Sequence, residues 1–597
     1  MGHGEASRQA SGSPQAAAPV ATRPGRASPE AQPRAARRRR AETLDKLLCV
    51  ACVALFAAVL LPRLSSPLLW HDEGDTAMFA TRILEVGYPK FHGPRNVLYE
   101  FGARLSVGVR ESVDAYIGKT WGDYYYAVPG VWWSQQSDDP AERTFRVRLP
   151  FALAGAAGVG VWLWGALPAL APPRRARFAA AYFALCSLSI SLLLHLREAR
   201  YYALLVLVLG ALVALHQRAV ALRALSWRRY ALATALLLPI LFQVFYVAWF
   251  PLLAWCAADA AREAWRGDVA ARPARLARAL APLALGALLT VPALVFFETF
   301  GVATRFASEQ GAGPARWVAN AQGVVAHFLR HEWLAAALAA RALAAWLARR
   351  ATAEARAATR PPRALAARYL GFAACYAAFG CLNPLVYERY FVALSPALAL
   401  SFLLDAFACA ALLAPAPRAW RRAAAACLAL VLAGSLALRR DELTGHLREL
   451  RVPVQGPLDF AVAHLRERYE DPSALVIATN YEAQPLMFYL GSRVIVGLAQ
   501  GDIGRERDLE PDVVIPRRRW PRSLASLRGF LARGRWDAVR LPVEDTHYNV
   551  VPSLTRSPAT PDPHRFRTPH ADPQARASLR VLHRINPTPP AGAPRDD

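Results

Sequence analysis

The sequence predicts an α-helical polytopic membrane protein of about 11 spans with a C-terminal extracytoplasmic α/β domain. Three observations predict this fold class. The chain contains repeated blocks rich in Leu, Ala and Val. These blocks are long enough to cross a bilayer, which needs about 20 apolar residues. The loops between them are alternately rich and poor in arginine, as expected when cytoplasmic loops retain positive charge. After Arg440 the hydropathy falls, and short helix-like and strand-like patterns alternate.

The composition fits a membrane protein and requires no nucleic-acid partner. Of the 597 residues, 54% are hydrophobic, and the formal net charge is +26. The basic clusters 174–177 and 227–229 would face the cytoplasm and its anionic lipids, so we interpret the charge mainly as a topology signal. All eight cysteines fall in apolar blocks, which implies neither a disulfide framework nor a cysteine metal site.

The chain begins with a basic tail and one span. Residues 1–45 are rich in Pro, Ala, Ser and Arg without periodicity, so we expect a disordered cytoplasmic tail. The apolar run 47–61 lacks an Ala-x-Ala cleavage site and lies too far along the chain for an ordinary cleaved signal. It therefore predicts an uncleaved first span that carries the following segment to the outer face.

Just beyond this span the chain carries three acids, Asp72, Glu73 and Asp75. Apolar residues then recur at helical spacing until Gly87, which places the acids in the first turn of a short helix. A helix N-terminus favours negative charge, so these carboxylates should stay ionised, which suits a proton acceptor or a cation ligand. The alternative is a structural helix cap without chemistry.

The outer loop 65–148 is too long to be a simple connection, which indicates a functional loop. It is rich in aromatic residues, Tyr124 among them. Tyr and Trp gather at membrane interfaces, and their faces also suit sugar rings, so both interpretations stay open. The loop holds three unranked acidic candidates, Glu100, Asp114 and Asp123.

The segment after the third predicted span carries Arg197, Arg200 and Tyr201. By alternation it lies outside, where the positive-inside tendency argues against two arginines. On a helix these residues share one face, and two guanidinium groups beside a hydroxyl form a phosphate-binding arrangement. The alternative is that the arginines snorkel to lipid headgroups. Arg389 and Tyr390 lie in a second outward corner that opposes the same charge trend.

The remaining apolar blocks complete the predicted bundle. The run 230–258 is too long for one span, so we expect two short paired spans that turn near Gln243 or Tyr246. Asp405 lies inside a span, and an intramembrane acid there has either a function or a structural partner. The other spans are predicted near 149–171, 178–195, 203–215, 279–297, 333–347, 367–385, 391–413 and 423–438.

Residues 441–550 predict a compact α/β domain on the outer face. Helical periodicity occurs at 458–469, 485–490 and 524–531, and strand patterns occur at 474–479, 493–496, 512–515 and 536–541. Such a mixture is typical of a layered α/β fold. A Pro-rich tail is predicted for 551–597.

Several short motifs follow one another in a defined order. They are Asp72-Glu73 after the first span, Arg197-x-x-Arg200-Tyr201 after the third, Glu388-Arg389-Tyr390 with Ser395-Pro396 late in the chain, and the phrases 148–155 and 489–494. Together they resemble the GT-C superfamily of lipid-phosphosugar glycosyltransferases, especially family 39 and its aminoarabinose lipid A transferase-like relatives. The resemblance covers about residues 45–500 and makes 46–440 the expected catalytic module.

The resemblance implies transfer of a sugar from a polyprenyl-phosphate donor to an acceptor on the outer face, with inversion at the anomeric carbon. Asp72 would match the family's catalytic base, and Glu73 would match the second acid of its pair. The leaving lipid phosphate, where charge develops, would be bound by Arg197, Arg200, Arg389, Tyr201 and Tyr390. The acceptor or sugar would contact the loop residues Glu100, Asp123 and Tyr124.

The chain also departs from the family pattern. A His-Pro-Pro-Leu-type phrase expected in the outer loop is replaced by the stretch 121–129, and 243–246 stands where many members have a histidine. A monophosphate leaving group can be neutralised by guanidinium groups, so no metal is chemically required, and a divalent metal stays open.

The implied location is a bacterial inner membrane with the N-terminus in the cytoplasm. A transporter or flippase of anionic lipid-linked substrates would use the same arginines, and a scaffold would use the outer α/β domain. No internal repeat is visible and the charges lie at the ends of spans, which favours the enzyme. No Gly-rich phosphate loop opens a helix, so a nucleotide-sugar donor is unsupported. Lipid, glycan and protein acceptors all remain possible.

Overall fold

The helices of the computed structural model form one bundle that carries a small sheet domain at one end. The structure describes residues 31–93, 108–266, 269–309, 311–453, 455–496, 510–517, 521–545 and 578–585. The long helices are Ala31–Leu60, Pro140–Ala166, Tyr201–His216, Trp227–Trp265, Arg272–Phe296, Leu334–Arg350, Arg360–Cys381, Leu394–Leu412 and Arg418–Leu438. Shorter helices include His71–Val86, Gly122–Ser134, Arg175–Ser187, Ile190–Leu196, Thr299–Glu309, Pro314–His331 and Arg440–Arg451.

Among the described residues, eight helices are long and apolar enough to cross a membrane, or nine if the bent pair Pro172–Ser187 and Ile190–Leu196 forms one span. The polytopic fold class is therefore as the sequence predicts. The helix Leu334–Arg350, with 17 residues, occupies the position of a further predicted span. Its Arg341 pairs with Asp405 at 3.2 Å, so the intramembrane acid has a structural partner.

The helical segment Trp227–Trp265 folds back on itself. Phe245 interrupts it with φ −161° and ψ 92°. His216 contacts both Tyr230, at 3.1 Å, and Asp259, at 3.2 Å, although a straight helix would separate those two residues by about 43 Å. The segment is therefore a hairpin of two short spans, as the charge pattern predicts. This division and the helix Leu334–Arg350 raise the number of candidate spans among the described residues to ten, or to 11 if the bent pair is one span.

The first span differs from its prediction at the N-terminal side. The helix begins at Ala31 and continues without interruption to Leu60. The basic run Arg37–Arg40 is therefore helical rather than disordered, because the same helix extends into the apolar segment that anchors it. Residues 1–30 lie outside the described part of the chain.

The C-terminal domain contains a five-stranded mixed sheet. Its strands are β3 (Val476–Thr479), β4 (Arg493–Val496), β5 (Val513–Ile515), β6 (Trp536–Glu544) and β7 (Ser578–Arg584), after a short outer-loop hairpin of β1 (Val109–Arg110) and β2 (Ala115–Tyr116). The order is β4-β3-β5-β7-β6, with β3 parallel to β4 and β5, and β7 antiparallel to β5 and β6. Helices Pro457–Arg468, Ala483–Leu490 and Pro521–Ala532 accompany the sheet.

The sheet corrects the predicted domain boundary at residue 550. Strand β7 lies within the segment expected to be a Pro-rich tail, and it is inserted between β5 and β6. Its alternate residues Leu579, Val581 and His583 are buried. The prolines that surround this short alternating pattern dominate the local composition, so the composition alone hides the strand.

The C-terminal domain is anchored directly on the helix His71–Val86, which we call the acidic helix. The Tyr489 hydroxyl accepts a hydrogen bond from the Leu69 N–H at 2.9 Å. Arg143 donates to the carbonyl oxygens of Tyr489 at 3.2 Å and Phe488 at 2.6 Å. The domain therefore fixes the acidic helix in place, and deleting it would expose buried residues of the helix bundle.

Gly74 is the closest point of this contact. A Cβ at this position would lie 2.4 Å from Pro485 Cδ and 2.6 Å from the Pro485 backbone nitrogen. We expect Gly74→Ala to lower the free energy of unfolding by about 1–3 kcal/mol, because the helix Ala483–Leu490 must shift to admit the methyl group. The measurement is thermal unfolding in detergent. Gly434→Ala is the matched control, since no atom of the described residues lies within 4 Å of its added Cβ. Equal unfolding temperatures for the two variants would contradict the contact at Gly74.

Candidate functional site

Glu73 fixes the N-terminal turn of the acidic helix. It is completely buried, and its Oε1 accepts hydrogen bonds from Arg148 Nε at 2.7 Å and from the Ala199 N–H at 2.8 Å. Its Oε2 accepts from Arg148 Nη2 at 2.5 Å and from the Trp70 N–H at 3.4 Å. Both oxygens are therefore occupied by the protein itself, and the residue ties the helix to two neighbouring segments.

The pair of Arg148 and Glu73 has a measurable consequence for stability. We expect Arg148→Gln to lower the free energy of unfolding by about 3–5 kcal/mol, because it leaves the Glu73 carboxylate buried without its charge partner. The measurement is again thermal unfolding in detergent. Arg146→Gln is the matched control, since Arg146 pairs with the exposed Glu142 on the same helix and surface pairs contribute about 0–1 kcal/mol. A small effect of Arg148→Gln would refute the anchoring role.

Asp72 lies between two arginines that are distant in sequence. Its Oδ2 is 3.3 Å from Arg200 Nη2 and 3.2 Å from Arg389 Nη1, and Arg200 Nη1 also donates to the Asp72 carbonyl oxygen at 2.8 Å. The Asp72 side chain is 19% exposed and those of Arg200 and Arg389 are 9% and 14% exposed. The structure thus brings together one acid and two guanidinium groups that the sequence predicts to share a site.

The charges around Asp72 determine its protonation. Burial by itself would raise the pKa of Asp72, but the charges of Arg200 and Arg389, followed by His71 and Lys119, lower the pKa to about 2. Asp72 is therefore ionised throughout the physiological pH range, as the sequence predicts for a first-turn carboxylate.

Asp75 and Asp123 share a second cation, Lys119. The Lys119 ammonium group is 2.8 Å from Asp123 Oδ2 and 3.7 Å from Asp75 Oδ2, and it lies 4.1 Å from the centre of the Tyr124 ring. The Tyr124 hydroxyl donates to Asp75 Oδ2 at 2.8 Å, and Arg200 Nη1 lies 3.4 Å from the same oxygen. The loop residues Asp123 and Tyr124 are therefore part of the same charged cluster as Asp72.

The net effect of burial and neighbouring charges is to lower the pKa of Lys119. Burial lowers its pKa, and the nearby Arg200 charge lowers it further, whereas Asp123 and Asp75 raise it. A buried ammonium group held by two carboxylates has a fixed position, so it can present its remaining hydrogen-bond capacity to a ligand.

Arg197 does not join Arg200, contrary to the sequence prediction. Residues 197–200 are a break between the helices Ile190–Leu196 and Tyr201–His216, so the helical spacing that would align Arg197 with Arg200 does not exist. Arg197 Nη2 instead donates to the carbonyl oxygen of Pro62 at 2.5 Å. Arg197 therefore lies against the end of the first span.

Tyr201 and Tyr390 form part of an aromatic wall beside the arginines. The Tyr201 ring stacks on Phe245 with centroids 4.5 Å apart and planes at 10°, and the Phe245 ring lies 5.7 Å from Tyr390. Phe245 lies at the turn of the helical hairpin, where its backbone is not helical. Its ring is part of the same aromatic wall. Arg200 lies 5.6 Å from the Tyr201 centroid, and Arg389 lies 6.0 Å from that of Tyr390.

Two other acidic candidates fall elsewhere. Glu100 lies outside the described residues. Asp114 Oδ1 lies 2.7 Å from His92 Nδ1, and its Oδ2 accepts from the His92 backbone N–H at 3.2 Å, so Asp114 orders the loop around β1 and β2.

Sequence reasoning missed three cations in or near the cluster. Lys119 could have been found from its i, i+4 spacing to Asp123. The pairing of Arg148 with Glu73 could not be predicted from sequence spacing, because the two residues are distant in sequence. In the C-terminal domain Arg517 pairs with Glu482 and with Asp545, at 2.5 Å for the latter, beneath Tyr481. The Tyr481 ring stacks on His71 at 5.0 Å, so this domain also contacts the first turn of the acidic helix.

The carboxylates of the cluster do not form a donor set for a metal ion. Asp72, Asp75 and Asp123 are each paired with a guanidinium or ammonium group. Within the described parts of the chain no group of three or more His, Cys, Asp or Glu side chains could hold a metal. A divalent cation would have to displace the arginines and the lysine from their partners.

Comparisons with known proteins give likeness in structure only. A scan against protein-family models and a search of curated proteins both gave no match. ArnT from Cupriavidus metallidurans in the apo state is 15% identical over 89% of this chain and 96% of its own, with a TM-score of 0.47. ArnT bound to undecaprenyl phosphate gives 14% identity, coverages of 92% and 99%, and a TM-score of 0.48.

A third similar structure is the archaeal oligosaccharyltransferase AglB from Archaeoglobus fulgidus in complex with an inhibitory peptide and a dolichol-phosphate. It is 11% identical over 76% of this chain and 64% of its own, with a TM-score of 0.44. ArnT and AglB are GT-C glycosyltransferases, the class that the sequence motifs resemble. The identities do not exceed 15% and the TM-scores are below 0.5, so these likenesses carry no function over to this chain.

Proposed function

We propose that this protein is an inverting glycosyltransferase that moves a sugar from a polyprenyl-phosphate donor to an acceptor at the outer face of a bacterial inner membrane. The single observation that carries the proposal is the contact of Asp72 with both Arg200 and Arg389 at the end of the helix bundle. An ionised acid beside two buried guanidinium groups provides a base and an anion site within one pocket.

The two arginines would bind the lipid phosphate. Guanidinium groups match the geometry of phosphate oxygens and keep their charge at any physiological pH. In the reaction the bond between the anomeric carbon and the phosphate oxygen breaks, and its electron pair stays on the phosphate. Negative charge therefore grows where Arg200 and Arg389 lie, so their attraction for the group is stronger in the transition state than in the donor. The wall that includes Tyr201 and Tyr390 would exclude water from this pocket.

Asp72 would accept the proton of the acceptor nucleophile as the new glycosidic bond forms. With both arginines directed at it, Asp72 is a weak base. A bound phosphate shares the charge of Arg200 and Arg389, which removes part of the stabilisation of the carboxylate and raises its basicity. Donor binding would thus prepare the base. Inversion requires the acceptor to approach from the side opposite the phosphate.

The other acids would have separate roles. Glu73, with both oxygens occupied by Arg148 and backbone N–H groups, would position the acidic helix rather than take part in catalysis. Asp75, Lys119, Asp123 and Tyr124 would bind hydroxyl groups of the sugar or acceptor, because together they present charged donors and acceptors next to Asp72.

The test uses the full-length protein in membranes supplied with envelope extract and a polyprenyl-phosphate sugar labelled in the sugar. We expect labelled acceptor and free polyprenyl phosphate to appear in equal amounts. Movement of intact labelled lipid across the membrane without release of polyprenyl phosphate would instead identify a transporter. The lipid and glycan profile of a deletion strain would then identify the acceptor.

A further inference from the structure

A second group of buried polar side chains lies beside the arginine pair and is formed by His195, Glu198 and Tyr202. Their exposed fractions are 1%, 6% and 0%. The rings of His195 and Tyr202 are 5.0 Å apart, and His195 Nδ1 lies 3.6 Å from Glu198 Oε2. The Tyr202 ring is also 4.4 Å from that of Tyr201, which lies under Arg200. The group therefore lies next to Tyr201 and the Arg200 side chain.

Several polar atoms at this place are buried without a hydrogen bond to any described residue. Within the residues that the structure describes, no hydrogen bond is made by either ring nitrogen of His195, the Tyr202 hydroxyl, or the Nε atoms of Arg200 and Arg389. A buried polar group without a hydrogen bond is unfavourable, so several at one place indicate a ligand that satisfies them together.

We propose that Tyr202 and His195 complete the phosphate site by donating hydrogen bonds to the oxygens of the polyprenyl phosphate that Arg200 and Arg389 bind. This inference rests on the proposed function and adds residues to its donor site. The phosphate of the sugar donor is a diester with two terminal oxygens, and the polyprenyl phosphate released from it is a monoester with three. Each terminal oxygen has lone pairs for more than one donor, so the group can accept from a hydroxyl and an imidazole as well as from two guanidinium groups.

Glu198 acts in this site as a positioning residue. Its Oε2 faces His195 Nδ1, so an imidazolium ring can donate to the carboxylate with one N–H and to the phosphate with the other. Glu198 lies in the break at 197–200, two residues before Arg200.

The experiment measures binding and does not depend on turnover. Full-length protein in nanodiscs is titrated with undecaprenyl phosphate, with the neutral polyprenol, and with inorganic phosphate as a competitor. We expect Tyr202→Phe and His195→Gln each to raise the Kd for undecaprenyl phosphate about tenfold or more, because hydrogen bonds to a charged group are lost. Binding of the neutral polyprenol should stay unchanged, and inorganic phosphate should compete only at a much higher concentration than the lipid.

Tyr369→Phe and His446→Gln are the matched controls. Tyr369 also has a buried hydroxyl without a hydrogen-bond partner among the described residues, but it follows Arg368, which pairs with Asp259 at the other end of the bundle. His446 is a buried histidine on the helix Arg440–Arg451. Both controls should bind the lipid as the wild type does. Tyr202→Phe removes only the hydroxyl group and keeps the buried ring. The lipid-binding experiment can therefore still be performed on Tyr202→Phe if His195→Gln does not fold.

Three results would overturn the inference. The first is that Tyr202→Phe and folded His195→Gln both bind undecaprenyl phosphate with a Kd within twofold of that of the wild type. The second is an equal loss of polyprenol binding, and the third is inorganic phosphate that binds as tightly as the lipid. Arg389→Gln separates the two levels of the argument: if it weakens lipid binding while the other two variants do not, only this inference fails. If Arg389→Gln also binds normally, the proposed function fails with it.

Discussion

Asp72→Asn is expected to reduce the rate of sugar transfer by about 10²–10⁴-fold, because the amide cannot accept the proton of the acceptor nucleophile. Asparagine has nearly the same shape and can still accept hydrogen bonds from Arg200 and Arg389. The fold and the lipid site should therefore persist. The measurement is the initial rate of label transfer in membranes that contain equal amounts of wild-type and variant protein.

The pH profile provides the control for this prediction. Since the pKa of Asp72 is lowered from its ordinary 3.8 to about 2, its ionised form is complete above pH 4 and is lost only as the pH falls through about 2. Protonation of Asp72 in the free enzyme should thus cause no loss of kcat/KM between pH 5 and 8. Transfer by Asp72→Asn at a rate near that of the wild type would rule out this carboxylate as the base.

Arg389→Gln is expected to lower kcat/KM by about 10²–10³-fold, because it removes one of the two cations that stabilise the leaving phosphate. Arg200→Gln should lower kcat/KM at least as much, since Arg200 also contacts Asp75 and the carbonyl oxygen of Asp72. The measurement is transfer at several donor concentrations, which separates kcat from KM.

Arg197→Gln is the matched control for these substitutions. Arg197 belongs to the same sequence motif as Arg200, but it contacts Pro62 rather than Asp72. Its replacement should change kcat/KM by less than about threefold, as expected for a partly exposed arginine outside the charged cluster. If Arg197→Gln lowered kcat/KM as much as Arg200→Gln does, Arg197 would belong to the phosphate site, as a continuous helix predicts. That result would contradict the break at 197–200.

Local patterns were sufficient for the fold class and for much of the secondary structure. Hydropathy and charge alternation predicted the bundle, including the hairpin at Phe245, because a span length and a charge rule act on each segment separately. Strand β7 was not predicted, since its place in the sheet depends on pairing with strands far away in sequence. Composition likewise could not distinguish a helical from a disordered basic tail at Arg37–Arg40.

The candidate site shows the same division. Arg200 and Arg389 were predicted because both oppose the positive-inside tendency, and Asp72 was predicted because it lies in the first turn of a helix. The structure places the three side chains in contact. Arg197 was assigned by assuming a continuous helix. Glu73 carries the same charge as Asp72 one residue away, but Arg148 reaches it from another helix, a contact that sequence spacing cannot reveal.

The most direct test of the whole account is the affinity of Asp72→Asn for undecaprenyl phosphate. In the wild type the Asp72 carboxylate competes with the phosphate for Arg200 and Arg389, so its removal should tighten lipid binding by about threefold or more while transfer is lost. Tighter binding together with lost transfer would place the base and the phosphate site in one pocket. Unchanged or weaker binding, with transfer intact, would contradict it.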